Sequence, residues 1–117
     1  MILKEIAAQV GLELFTPPST NNLLQEITQG FSSDLLSNVL AHAPVGGLLI
    51  TVQTHMNVIA VASHTQLAAI VFADGRRPEP AVFQKAEEEK IVLFGSIETA
   101  FNLVGKLYAL GLRGPAE

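Results

Sequence analysis

Thr51, Gln53, Thr54, His55 and Asn57 crowd polar side chains into one short segment of a stretch that is otherwise without charge. From Leu35 to Ala73 the chain carries no Asp, Glu, Lys or Arg, whereas soluble domains place a charge at about one position in four. Such a run belongs to a segment with little solvent-facing surface, or to one covered by a partner. Polar groups inside it must find partners, because unsatisfied buried donors and acceptors are costly. The cluster offers hydroxyl, amide and imidazole groups with no formal charge unless His55 is protonated. That is the chemistry of recognition by hydrogen bonding. The same groups also suit a self-satisfied network, or one bonded across a dimer interface.

Three further constellations flank the cluster. Gly30-Phe31-Ser32-Ser33-Asp34 precedes an apolar periodic segment. A glycine and two hydroxyls at a helix N-terminus suit a phosphate or carboxylate, but Asp34 is already an anion there, and the residues also read as an ordinary N-cap. Asp74-Gly75-Arg76-Arg77-Pro78 brings charge back after a buried strand, as an anion site at the sheet edge or as a solvated turn. In Ser96-Ile97-Glu98-Thr99, Ser96 is the expected cap of a last helix, and Thr99 is a minor ligand candidate facing the same edge as Thr51.

Catalytic sets are missing. There is no phosphate loop of the GxxxxGK[ST] type, no GxGxxG fingerprint and no GxSxG elbow. His42, His55 and His64 have neither helical i, i+4 spacing nor nearby carboxylates, so no metal site is expected. His42 and His64 fall near helix C-termini, where the helix dipole accounts for them. An enzyme would have to rely on His55 with Asp34, and no nucleophile accompanies them.

Bulk properties narrow the class further. A chain of 117 residues suits a single domain. The net charge of −4, with Arg76-Arg77 as the one basic pair, excludes nucleic acid as the main partner. The absence of cysteine removes disulfides and thiolate chemistry and is compatible with a reducing cytoplasm. Met1–Val10 contains Lys4 and Glu5 and does not read as a signal peptide. Pro44, Gly46-Gly47 and the polar cluster interrupt the apolar middle, so no membrane span is expected. A mean hydropathy of +0.38 points to a well-buried sheet plus a subunit interface.

The elements that position these residues follow from periodicity. Ile2 to Val10 reads as a helix stopped by Gly11, Leu12 to Phe15 as a short strand, and Thr16 to Asn22 as a turn or loop. Leu24 to Gly30 is a weakly signalled strand. A helix follows with Leu35, Leu36, Val39 and Leu40 on one face, ending near Pro44. Leu48 to Val52 is a buried strand, and Thr54 is the expected cap of a helix bearing Val58, Ile59, Val61 and Ala62. Leu67 to Ala73 is a strand, Pro80 opens a helix, Ile91 to Phe94 is a strand, and a last helix turns Ile97, Ala100, Phe101, Val104, Leu107 and Tyr108 inward. Alternation from Leu48 onward predicts a parallel sheet covered on both faces.

Gly30 to Leu40, the segment Thr51-Val52-Gln53-Thr54-His55-Met56-Asn57-Val58 and the closing Thr99 to Leu112 together resemble small stand-alone DRTGG-domain proteins of anaerobic bacteria. The resemblance covers nearly the whole chain, and its most specific part is Gln53-Thr54-His55 with Asn57. It implies an α/β fold, a single three-layer domain over 1–117 with a mixed, mostly parallel sheet flanked by helices. Similar domains accompany phosphotransacetylases and CBS-domain pyrophosphatases, where they look regulatory and often dimeric. Small members are similar to genes near iron hydrogenase clusters, which implies an energy-metabolism context. The literal Asp-Arg-Thr-Gly-Gly string is absent, and so is the phosphate loop that a kinase would need.

The resulting expectation is a non-catalytic, cytoplasmic regulatory or sensor domain that acts as a homodimer. Its ligand, a nucleotide or phosphorylated metabolite, is expected at Thr51, Gln53, Thr54, His55 and Asn57 beside Ser32, Ser33 and Asp34, at the carboxyl edge of the sheet. No metal, nucleic acid or membrane is expected, and no cofactor is named. The alternative is a protein–protein interaction module without ligand, whose uncharged helix Met56–His64 packs on its twin or on a partner.

Overall fold

Three short strands are apolar almost throughout, so both faces of the sheet must be covered. The computed structural model describes residues 1–17 and 23–116. The turn expected over Thr16–Asn22 lies mostly outside the described residues. Among these, the elements are α1 (Leu3–Val10), β1 (Glu13–Leu14), β2 (Gly30–Ser32), α2 (Leu36–His42), β3 (Leu48–Thr51), α3 (Asn57–His64), β4 (Ala69–Phe72), α4 (Pro80–Glu88), β5 (Val92–Gly95) and α5 (Ala100–Ala109). The sheet runs β1-β5-β4-β3-β2. Strands β2 to β5 are parallel, and β1 joins β5 antiparallel. The architecture is the expected three-layer α/β fold with a mixed, mostly parallel sheet.

Strand alternation assigns the layers. Leu48, Ile50, Ala69, Val71, Val92 and Phe94 pack with Leu3 and Ile6 of α1 and with Leu103 and Leu107 of α5. Leu49, Ile70, Phe72 and Leu93 pack with Val39 of α2, Val58, Ile59 and Ala62 of α3, and Val82 and Ala86 of α4. Each step from β2 to β5 moves one place in the same direction, so the crossovers stack α2, α3 and α4 on one face. All residues of β3, β4 and β5 are buried, which accounts for the absence of charge at Leu48–Thr51 and Ala69–Phe72, whereas Leu35, Leu40 and Val45 in the same uncharged run are exposed.

Local signals hold where one residue type is required. Gly11 ends α1 at φ 69°, and Pro80 opens α4, where a missing N–H costs nothing. Two expectations shift. The strand expected at Leu24–Gly30 forms only at Gly30–Ser32. The residues before it are bound to the chain termini instead: Leu3 N donates to Gln25 O at 2.9 Å, Ile27 N to Met1 O at 2.9 Å and Arg113 N to Thr28 O at 3.2 Å.

The last helix also starts later than expected. Ser96 to Glu98 prolong the β4–β5 contact through Ser96 N to Phe72 O at 2.9 Å and Asp74 N to Glu98 O at 2.7 Å. Thr99, not Ser96, then caps α5, accepting from Asn102 N at 3.3 Å. Leu103 and Leu107 consequently face inward, while Ile97, Phe101 and Tyr108, expected inward, are 91%, 85% and 56% exposed. The sequence holds two overlapping apolar stripes along this helix, and the cap position selects between them.

The antiparallel edge is fixed by a clamp. The Arg77 guanidinium lies 4.5 Å from the Phe15 ring centre and 5.7 Å from that of Phe83, and the two rings are 5.2 Å apart. Arg77 Nη1 also donates to Glu13 Oε2 at 3.2 Å. Phe15 rests directly on Gly95, where a Cβ would come within 2.1 Å of the ring. Gly95→Ala is therefore expected to displace Phe15 and lower stability by about 1–3 kcal/mol in urea denaturation. In a Phe15→Ala background the same change should cost far less.

Candidate functional site

The polar cluster begins where β3 runs out of sheet. Thr51 is 1% exposed, and its hydroxyl donates to Asp34 Oδ1 at 2.9 Å. The same carboxylate oxygen accepts from Val52 N at 2.8 Å. Asp34 therefore holds the carboxyl end of β3 from the neighbouring segment after β2.

Beyond this latch, each odd-numbered side chain caps a backbone N–H two residues ahead. Thr51 Oγ1 accepts from Gln53 N at 3.0 Å, Gln53 Oε1 from His55 N at 3.1 Å and His55 Nδ1 from Asn57 N at 3.0 Å. These local side-chain bonds replace a regular turn and deliver the chain into α3. Because Nδ1 of His55 accepts, the neutral ring carries its proton on Nε2. The ladder leaves other groups uncommitted. Among the described residues no hydrogen bond engages the Gln53 side-chain amide nitrogen, the Thr54 hydroxyl or His55 Nε2.

Gln53, Thr54, His55 and Met56 line one wall of a cleft of about 560 Å³, and Arg77, Glu79, Ala81 and Val82 line the other. The cleft opens between the segments that follow β3 and β4, at the carboxyl ends of two adjacent parallel strands. Strand order does not reverse there. The successive loops first diverge to opposite faces between β4 and β5, and that position is closed by Gly75 N donating to Ser96 O at 2.8 Å. In the sequence Arg77 reads as part of an anion site at the sheet edge or of a solvated turn, and Glu79 carries no signal of its own. Their relevance follows from strand adjacency, which local spacing does not encode.

The residues expected at the site separate into groups. Gln53, Thr54 and His55 share the cleft. Thr51 and Asp34 form the latch beneath it, and Asn57 is exposed at the start of α3. Ser33 Oγ accepts from Leu35 N at 3.2 Å and from Asn38 Nδ2 at 3.0 Å, which ties it to α2. Ser32 lies beside α5, in a groove with Phe101 and Tyr108 on the other face of the sheet.

Two expected caps are not formed. Asp34 is turned toward β3, so it is not a first-turn carboxylate of α2, whose N-cap Leu35 has no side-chain bond. Leu35 and Leu40, expected on the inner face of α2, are exposed, and Val39 alone is buried there. Thr54 does not cap α3, because the helix begins at Asn57 after Met56. Thr99 is engaged as the cap of α5, while the Thr51 hydroxyl is bonded to Asp34. Among the described residues no group of three His, Cys, Asp or Glu is placed to hold a metal ion, and no helix is long and apolar enough to cross a membrane.

Asp34→Ala removes the acceptor shared by Thr51 and Val52. It is expected to lower stability by about 1–3 kcal/mol in chemical denaturation. Ser32→Ala, which removes no side-chain bond, should stay within about 0.5 kcal/mol of the native chain.

No family model matches the sequence, and no curated protein matches it. Among solved structures, the chain is similar to the CBS and DRTGG domains of the regulatory region of Clostridium perfringens pyrophosphatase, complexed with its activator diadenosine tetraphosphate. The TM-score is 0.67 at 11% sequence identity, covering 91% of this chain and 45% of that one. This chain thus spans less than half the length of that regulatory region. The DRTGG-domain resemblance read from the sequence is met at the level of the fold.

Proposed function

We propose that this chain is a non-catalytic regulatory module that acts as a homodimer and binds a small phosphorylated ligand, a nucleotide or phosphorylated metabolite, in the cleft between the β3–α3 and β4–α4 segments. The observation that carries this reading is the set of uncommitted groups on Gln53, Thr54 and His55 facing Arg77 across about 560 Å³. The neutral donors and acceptors suit a base or sugar, and the guanidinium suits a phosphate. Arg77 is already held by Phe15, Phe83 and Glu13, so little side-chain freedom is lost on binding. Support also comes from the structural neighbour, a regulatory region complexed with a nucleotide activator. Among the described residues, the Thr54 hydroxyl has no hydrogen bond to His55 and Glu79 is the single carboxylate in the cleft lining, which favours binding over turnover.

A second reading is an interaction module without ligand, favoured by the exposed Ile97, Phe101 and Tyr108. The partner face expected on Met56–His64 has little to offer such contacts. Its large apolar residues Val58 and Ile59 are buried and Met56 and Val61 half-buried, and its exposed positions are Asn57, Ala60 and His64.

Calorimetric titration with AMP, ATP and diadenosine tetraphosphate separates the two readings. The regulatory reading expects saturable binding by at least one of them. Gln53→Ala and His55→Ala should each weaken it about tenfold or more, the loss associated with one hydrogen bond to a charged or buried group. No heat and no thermal shift across the three nucleotides, with the fold intact, would remove the nucleotide assignment.

A further inference from the structure

Phe101 and Tyr108 on α5, with Ile97 just before it, are exposed large apolar side chains, as are Leu35, Leu40 and Val45 on and beside α2. Phe101, Val104, Gly105 and Tyr108 follow one another at i, i+3, i+4 and i+7, which forms an outward stripe beside the buried Leu103 and Leu107. Gly105 stands in mid-helix, where a Cβ would meet nothing within 4 Å. Glycine in such a place costs about 1 kcal/mol of helix stability relative to alanine, and no contact within the chain requires it. Beside the stripe a hollow of about 230 Å³ opens between α5 and the edge strand β2, walled by Gly30, Ile50, Val104, Leu107, Tyr108 and Leu112. A protruding Phe101 and an apolar hollow thus lie on one face, toward opposite ends of α5 from Gly105.

We infer that a second copy of this chain covers that face, with α5 packed antiparallel on α5 across a twofold axis at Gly105. This inference rests on the homodimer reading above and supplies its surface. A twofold axis exchanges positions equally far before and after it. Phe101 of each copy then falls opposite Ala109 of the second copy, beside its Tyr108 and toward the mouth of its hollow. Glu98 precedes α5 and Arg113 follows it, so antiparallel packing brings the carboxylate end of one copy toward the guanidinium end of the other at both ends of the contact. Arg113 is already oriented for this, with its guanidinium 3.7 Å from the Tyr108 ring centre and bonded to Tyr108 O at 2.9 Å. Lys106 is neutralised within each copy by Glu98 at 2.5 Å, which limits repulsion across the axis. A face that is its own complement is what a twofold interface requires, and a glycine at the crossing point lets the two helix backbones approach closely.

The chain contains no cysteine, so Gly105→Cys places a single thiol on the axis. Under mild oxidation most of the Gly105→Cys protein should run as a covalent dimer on non-reducing gels, while Ala60→Cys on α3 stays single at the same concentration. Phe101→Glu, a change at an exposed position, should sediment at half the native mass and retain the native circular dichroism spectrum. A native chain that sediments as a monomer would overturn the homodimer reading and this surface together. A native dimer that survives Phe101→Glu and is not captured through Gly105→Cys would leave the dimer standing and overturn the α5 surface.

Discussion

A parallel sheet covered on both faces leaves charge no place except at the strand ends, and the rest of this structure follows from that exclusion. Strands β3, β4 and β5 are buried along their whole length. Helices α2, α3 and α4 close one face, and α1 and α5 close the other. Most backbone groups of these strands pair within the ladder, and Leu93 N of β5 donates instead to Thr16 Oγ1 at 3.2 Å, so apolar side chains suffice for most of the interior. Polar side chains gather where the ladder stops and the backbone must find other partners. The segment after β3 is the densest such place, and its side chains serve its own N–H groups first.

That priority bears on function. Asp34 fixes the end of β3, and the side chains of Thr51, Gln53 and His55 fix the path into α3. A wall held this way is rigid before any ligand arrives, which lowers the entropic cost of binding. The facing wall is fixed independently by the stacking of Arg77 on Phe15 and Phe83. The binding role proposed above draws on both walls being held before a ligand arrives.

Much of the fold was legible in the sequence because its signals are local. Continuous apolar runs at Leu48 and Leu67, the stop at Gly11 and the opening at Pro80 each constrain a few neighbouring residues. The failures share a cause. Ser96 and Thr99 are both good caps, and long-range pairing of Ser96 with Phe72 decided between them. That choice rotated α5 and exposed Phe101 and Tyr108. Asp34 reads locally as a helix-start carboxylate, but Thr51 and Val52, brought near by the β2–β3 pairing, compete for it successfully. The polar cluster was visible from composition alone. Its division into a latch, a ladder and a cleft wall was not, because Arg77 and Glu79 reach the cleft only through the β3–β4 pairing.

The proposed docking of a small phosphorylated ligand in the cleft between the β3–α3 and β4–α4 segments can be followed directly in solution. Backbone amide chemical shifts recorded during a titration with diadenosine tetraphosphate test it residue by residue. Saturable shifts are expected to concentrate at Gln53, Thr54, His55, Arg77 and Ala81, with Ile97 to Arg113 largely unmoved. Shifts confined to α5 and the β2 edge, or no shifts at saturating ligand, would contradict it.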